Sequence, residues 1–122
     1  MKVPPFLLRR LYVKGSLKNT PGGFQFQLKN QLGSGYARRL MPITVDGVDV
    51  PLEATSFTTD GKEVPLTAVA EGTPFTLALN KVTTLTVQGK PLAPGPRKIG
   101  MRFEVAGLGL LEFDFTDVPT DG

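Results

Sequence analysis

The chain has no cysteine, no histidine and no tryptophan. Without cysteine there are no disulfides, no thiolate nucleophiles and no thiolate metal ligands. Without histidine every imidazole-based acid–base scheme is excluded too. Catalysis would have to rest on carboxylates, lysines, tyrosines or hydroxyls. Long apolar runs are also missing. None approaches the roughly 20 residues that cross a bilayer as a helix, so no membrane span is expected. The opening MKVPPFLLRRLYVKG is broken by Arg9 and Arg10 and does not read as a secretory signal. A cytoplasmic location is the expectation. Few Asn and Gln, together with eleven prolines, lean towards a heat-adapted source.

Acids are missing from one stretch. Residues 1–45 hold eight Lys and Arg and no Asp or Glu, whereas residues 46–122 hold eleven acids and six bases. The net charge of +3 hides this division. The acid-free part contains Arg9 and Arg10 before Tyr12, then Lys14, and Tyr36 before Arg38 and Arg39. Arginine beside an exposed aromatic is the minimum equipment for single-stranded nucleic acid, through phosphate contact and base stacking. These seven residues form the candidate anion-binding set for nucleic acid or another polyanion.

What is present in quantity is period-two alternation, the mark of strands with one buried face. Leu11, Val13, Gly15 and Leu17 alternate with polar residues. After the turn NTPGG, Phe24, Phe26, Leu28 and Leu32 do the same, which predicts a hairpin with a polar, acid-free outer face. Strands are further expected around Phe75–Leu79, Thr83–Val87, Ile99–Val105 and Leu111–Phe115, the last two joined through Ala106–Gly109. No long helix is expected. QLGSGYARRLMP, EGTP and GKPLAPGPRK read as irregular connections. At 122 residues and 40% hydrophobic content, one domain with a substantial core is possible. The expected fold is all-β: a single-domain antiparallel β-sandwich over residues 1–122, jelly-roll-like, of about eight strands. Residues 1–10 form either an N-terminal arm or a short helix started by the prolines.

Two near-copies of one phrase stand fourteen residues apart: TVDGVDVPLEA from Thr44 and TTDGKEVPLTA from Thr58. Asp-Gly between β-formers is a strong hairpin signal, because a type I′ turn needs positive φ at both central residues. The implied partners are Val45 with Val48, Thr44 with Asp49 and Ile43 with Val50. In the second copy they are Thr59 with Lys62, Thr58 with Glu63 and Phe57 with Val64. Pro51 and Pro65 then limit each returning strand. A fainter echo lies at TVQGKPLA.

Other chemistry is weakly signalled. VDGVDV lacks the ligand spacing of an EF-hand, and turn chemistry accounts for it. QLGSGYARR has a glycine-rich turn beside arginines but no phosphate-loop frame, and reads as a flexible connection. Glu104, Glu112 and Asp114 should share the outer face of the last hairpin. A carboxylate pair can hydrolyse glycosides, but a solvated acidic face is the plainer reading. No metal, cofactor or catalytic residue is assigned. The basic first hairpin and the acidic last hairpin can pair within one sheet or between subunits. Leu108, Glu104, Glu112 and Asp114 are the candidate interface, with Leu108 as its apolar tip. The expectation is a non-enzymatic protein that self-assembles or contacts a protein partner, with polyanion binding as the alternative.

The stretches LYVKGSLKNTPGGFQFQLKN and PITVDGVDVPLE resemble a group of small prokaryotic proteins, some labelled hydroxymethylglutaryl-CoA reductase. The resemblance covers the first half of the chain best and implies no transferable activity. Reductase chemistry of that name uses a catalytic histidine with acid and lysine residues, and the chain has no histidine.

Overall fold

Pro4 and Pro5 suit a helix start, where a missing N–H costs nothing, and helix α1 (Pro5–Leu8) begins there. A 3₁₀ turn (Arg9–Leu11) continues it, and Leu8 and Leu11 drop into the core. The strands follow: β1 (Lys18–Thr20), β2 (Gly23–Lys29), β3 (Gly35–Leu40), β4 (Thr44–Val45), β5 (Val48–Asp49), β6 (Thr55–Thr59), β7 (Lys62–Pro65), β8 (Phe75–Leu77), β9 (Val82–Gln88), β10 (Arg97–Val105), β11 (Gly109–Asp117) and β12 (Thr120–Asp121). This computed structural model describes residues 4–31, 35–69, 75–77, 80–105 and 107–121, without the side chains of 35, 36, 75–77 and 121.

Two sheets result. Sheet 1 runs β12-β1-β2-β9-β6-β7, and sheet 2 runs β5-β4-β10-β3-β8 with β11 on the other side of β10. All strand pairs are antiparallel except β1 with β12. β3 and β4 lie end to end along β10: Leu40 pairs with Phe103, while Thr44 pairs with Gly100. Pro42, which has no N–H for the ladder, falls in the break between them.

Alternate residues of both sheets turn inward, as the strand period requires. Phe24, Phe26, Leu28, Phe57, Leu85 and Val87 come from sheet 1; Ile99, Met101, Phe103, Leu111, Phe113 and Phe115 come from sheet 2, and all are buried in one cluster. Phe26 and Phe115 meet edge to face across the sandwich, ring centroids 5.3 Å apart. Burying each such side chain favours folding by about 1.5–3 kcal/mol. The expectation of an all-β sandwich is therefore met. The strand number exceeds the expected eight because several strands have only two or three residues, too short to show alternation.

Both Asp-Gly hairpins form in the expected register, with Val50 N–H donating to Ile43 O at 2.8 Å. Asp46, Gly47, Asp60 and Gly61 all have positive φ, of 50°, 87°, 54° and 79°. Each following proline precedes a 3₁₀ turn, Leu52–Ala54 or Leu66–Ala68. The copies thus share one local structure but lie in different sheets.

Two expectations are corrected. Residues 11–17 are not a strand: the first part is helical and Gly15 is left-handed at φ 85°. It meets β2 through a bridge from Tyr12 to Leu28, a hydrogen bond from Val13 N–H to Gln27 O, and the Gln27 N–H donating to Ser16 Oγ. The stretch GYARRL, read as a flexible connection, is β3. The register shifts between Glu104 and Val105 opposite Arg39 and Ala37, and this bulge at Arg38 hides the alternation. Leu32 and the EGTP stretch lie outside the described residues.

Candidate interaction surfaces

The outer face of sheet 2 is dense in charge, and its charges are matched. Thr44 leans over its partner Gly100, which has no side chain to oppose it. Around this point an open groove of ≈ 860 Å³ is lined by Arg9, Asp46, Asp49, Lys98, Arg102, Glu112 and Asp114, among others. Arg9 and Lys98 reach Asp114 at 3.4 and 3.7 Å, and Arg102 reaches Asp49 at 3.5 Å. Surface pairs of this kind contribute about 0–1 kcal/mol each. Among the described residues Glu112 has no such partner.

Asp46 does more than form a turn. Its Oδ1 accepts the Lys98 backbone N–H at 3.0 Å and its Oδ2 accepts from Arg97 Nη1 at 3.0 Å. The backbone donor first, and then Arg97, hold its carboxyl below the usual range. The Asp46 N–H donates in turn to Lys98 O at 2.8 Å. The first hairpin is thereby fastened to the start of β10.

The seven candidate anion-binding residues fall into separate groups. Arg9 pairs with Asp114, and its Nε also donates to Asp114 O at 2.8 Å. Tyr12 is stacked on Phe115, with centroids 3.6 Å apart and planes 11° apart. Its hydroxyl donates to Asp117 Oδ2 at 2.7 Å and accepts from Leu17 N at 3.1 Å. Burial, then the Asp117 contact, push its pKa up to about 12. The Tyr12 hydroxyl and the Gly15 N–H hold the Asp117 carboxyl below the usual range. Tyr12 therefore presents no free ring for a base. Arg10 and Lys14 are exposed beside it. Arg38 and Arg39 lie on β3 against Glu104, at 2.8 and 3.9 Å. Gly100, opposite Asp114, and Glu104 stand four positions apart on β10, which is roughly 13 Å along a strand. The arginines of β3 and those beside α1 are thus not one patch. The side chain of Tyr36 is outside the described part of the structure.

Of the candidate interface residues, Glu104, Glu112 and Asp114 do share the outer face of the β10–β11 hairpin. Glu104 and Asp114 are joined to the basic N-terminal part within the chain, so much of the charge division is used internally. Leu108 is 38% exposed, and Leu110, not among the candidate residues, is 46% exposed. Leu110 stands in phase with the outward Glu112 and Asp114, so the signal was present.

Beside these leucines, no strand among the described residues pairs with β11 on the side away from β10, where α1 packs against part of it. Asp46 and Met41 donate to Lys98 O and Arg102 O, so even-numbered residues of β10 turn their peptide groups away from β11. In an antiparallel pair opposite residues share this orientation. With Ile99 opposite Phe115 and Val105 opposite Gly109, the peptide groups of Leu110, Glu112, Asp114 and Thr116 face the open side. Arg9 occupies the Asp114 carbonyl. Among the described residues no sheet strand occupies the edge from Leu110 to Glu112.

No group of three or more acidic side chains is placed to hold a metal among the described residues. No described helix is long and apolar enough to cross a membrane. The fold and surfaces define a β-sandwich domain with a self-neutralised sheet face and an apolar hairpin end. Residues 7–120 match the family described as hydroxymethylglutaryl-CoA reductase, N-terminal domain, and the chain belongs to that family. No curated protein matches the chain.

Proposed function

We propose that this sandwich is a non-enzymatic interaction module that binds a second copy of itself through the end of the β10–β11 hairpin. The observation that carries this reading is the apolar open edge: Leu108 and Leu110 are exposed, and residues 105–111 contain no charge. An unpaired strand edge is a template for another strand, and a two-fold contact needs only a surface complementary to itself. An antiparallel register with Leu110 opposite Leu110 of the second copy places Leu108 opposite Glu112. It keeps the two Glu112 residues apart and stops short of the Arg9-capped Asp114. The missing histidine and cysteine, and carboxylates paired with cations rather than set in an apolar pocket, support the non-enzymatic part.

The test is solution mass by native mass spectrometry or light scattering at tens of micromolar protein. A dimer is expected. It should persist from about 0.05 to 0.5 M salt, because an apolar edge contact is weakly screened. Leu110→Lys should give a monomer with an unchanged thermal midpoint. A monomer for the unmodified chain, or a Leu110→Lys dimer, would overturn the reading.

A further inference from the structure

The outer face of sheet 1 differs in kind from that of sheet 2. Phe24, Phe26, Leu28, Leu85, Val87 and Phe57 point inward, so the intervening residues of β2, β9 and β6 point out. Lys18, Gln25, Thr86 and Ser56 are successive partners across four strands. Gln27, Thr84 and Thr58 form the next row, and Lys29 ends β2 beyond it. The rows lie about 7 Å apart, with neighbours about 4.8 Å apart within each. β1, β2 and β9 contain no acid. Glu63, on the far edge strand, is bonded to Ser56 Oγ at 2.9 Å.

Among the described residues Lys18 and Lys29 have no ion pair, whereas Arg38, Arg39, Arg97, Lys98 and Arg102 of sheet 2 all do. The hairpin expected to carry an acid-free face does not form with residues 11–17, but β1, β2 and β9 contribute no acid to this face, and its cations are lysines outside the seven candidates. Lysine ammonium, hydroxyl and amide groups are the side chains that contact phosphate oxygens. No aromatic faces outward on β1, β2, β6 or β9, so a base would find nothing to stack on. The acids of sheet 2 are mostly paired already, which makes that face of a second copy a poor occupant.

We infer that the outer face of β1, β2, β9 and β6 binds an extended phosphate-bearing polyanion through Lys18 and Lys29, contacting its phosphates and not its bases. The probes are fluorescent oligo-dT and oligo-dA of about twelve nucleotides, with inorganic polyphosphate as competitor, read by anisotropy on the full chain. At about 20 mM salt both oligonucleotides should bind, within about twofold of each other, and polyphosphate should displace them. Two neutralised phosphates predict roughly a 25-fold loss of affinity for a tenfold rise in salt. Lys18→Gln with Lys29→Gln should abolish most of that dependence and weaken binding about tenfold, with the thermal midpoint retained. Arg38→Gln with Arg39→Gln should leave binding within about twofold. Tighter binding of either polyphosphate or oligonucleotide supports the site and identifies the source of the phosphate. No binding at low salt, a strong preference for one base, or dependence on Arg38 and Arg39 instead of the lysines would overturn the inference.

Discussion

The two Asp-Gly hairpins have nearly the same sequence and the same turn, yet their aspartates do different work. Asp46 is bound by the Lys98 N–H and by Arg97. Among the described residues Asp60 has only Lys81 Nζ at 3.4 Å, and both side chains are mostly exposed. The difference is not in the phrase. β10 begins beside the first turn and offers it the Lys98 N–H; among the described residues no backbone donor reaches Asp60. Local sequence decides the reversal of the chain, and the neighbour decides whether the turn residue also becomes a fastening.

The largest effects should be those that ignore this difference. Gly47→Val and Gly61→Val place a β-branched residue where φ is 87° and 79°, and each should cost about 1–3 kcal/mol in urea unfolding. A large gap between the two would show that the turns are not locally equivalent. The aspartates should then separate. Asn-Gly makes the same turn, so the sequence alone predicts both Asp→Asn changes to be silent. The structure revises this for Asp46: Asp46→Asn should lower the thermal midpoint, whereas Asp60→Asn should not. Asp46 has a pKa below the ordinary 3.8. A carboxylate depressed in the folded state stabilises it above the unfolded value, and that stability is lost as pH falls through the folded pKa. Asp46→Asn should therefore flatten the acid limb of the stability profile below about pH 4. An unchanged limb would deny Asp46 its role. The smallest effect belongs to Lys81→Gln, expected within about 0.5 kcal/mol of the unmodified chain; a greater loss would mean the second turn is fastened after all.

Much of the fold was legible. The hairpin partners around Asp46-Gly47 and Asp60-Gly61 follow from turn geometry alone, residue by residue. β9, β10 and β11 follow from alternation, because one face of each is apolar and the other polar. β3 was hidden because its bulge puts Arg38 and Arg39 side by side against one acid, Glu104. The stretch around Leu11 misled because a helical turn and an extended run can both bury every second or third apolar residue. The charge division was visible, but not its use. Whether Arg9 meets Asp114 of its own chain or of another depends on where α1 lies, and only the tertiary arrangement places it along β11. Leu110 needed only the phase already set by Glu112 and Asp114.

The docking of Arg9 and Tyr12 on Asp114 and Asp117, and of β1 on β12, joins residues more than one hundred positions apart. During synthesis Arg9 and Tyr12 emerge well before the residues that hold them, 105 positions later. Until residue 117 has left the ribosome, Tyr12 has neither the Phe115 ring nor the Asp117 carboxylate to hold it, and Leu8 and Leu11 lack the sheet that buries them. A sandwich closed by segments so far apart in sequence gains these contacts only after β11 and β12 have been made. Such non-local closure belongs to the slow, millisecond-to-second class of folding reactions.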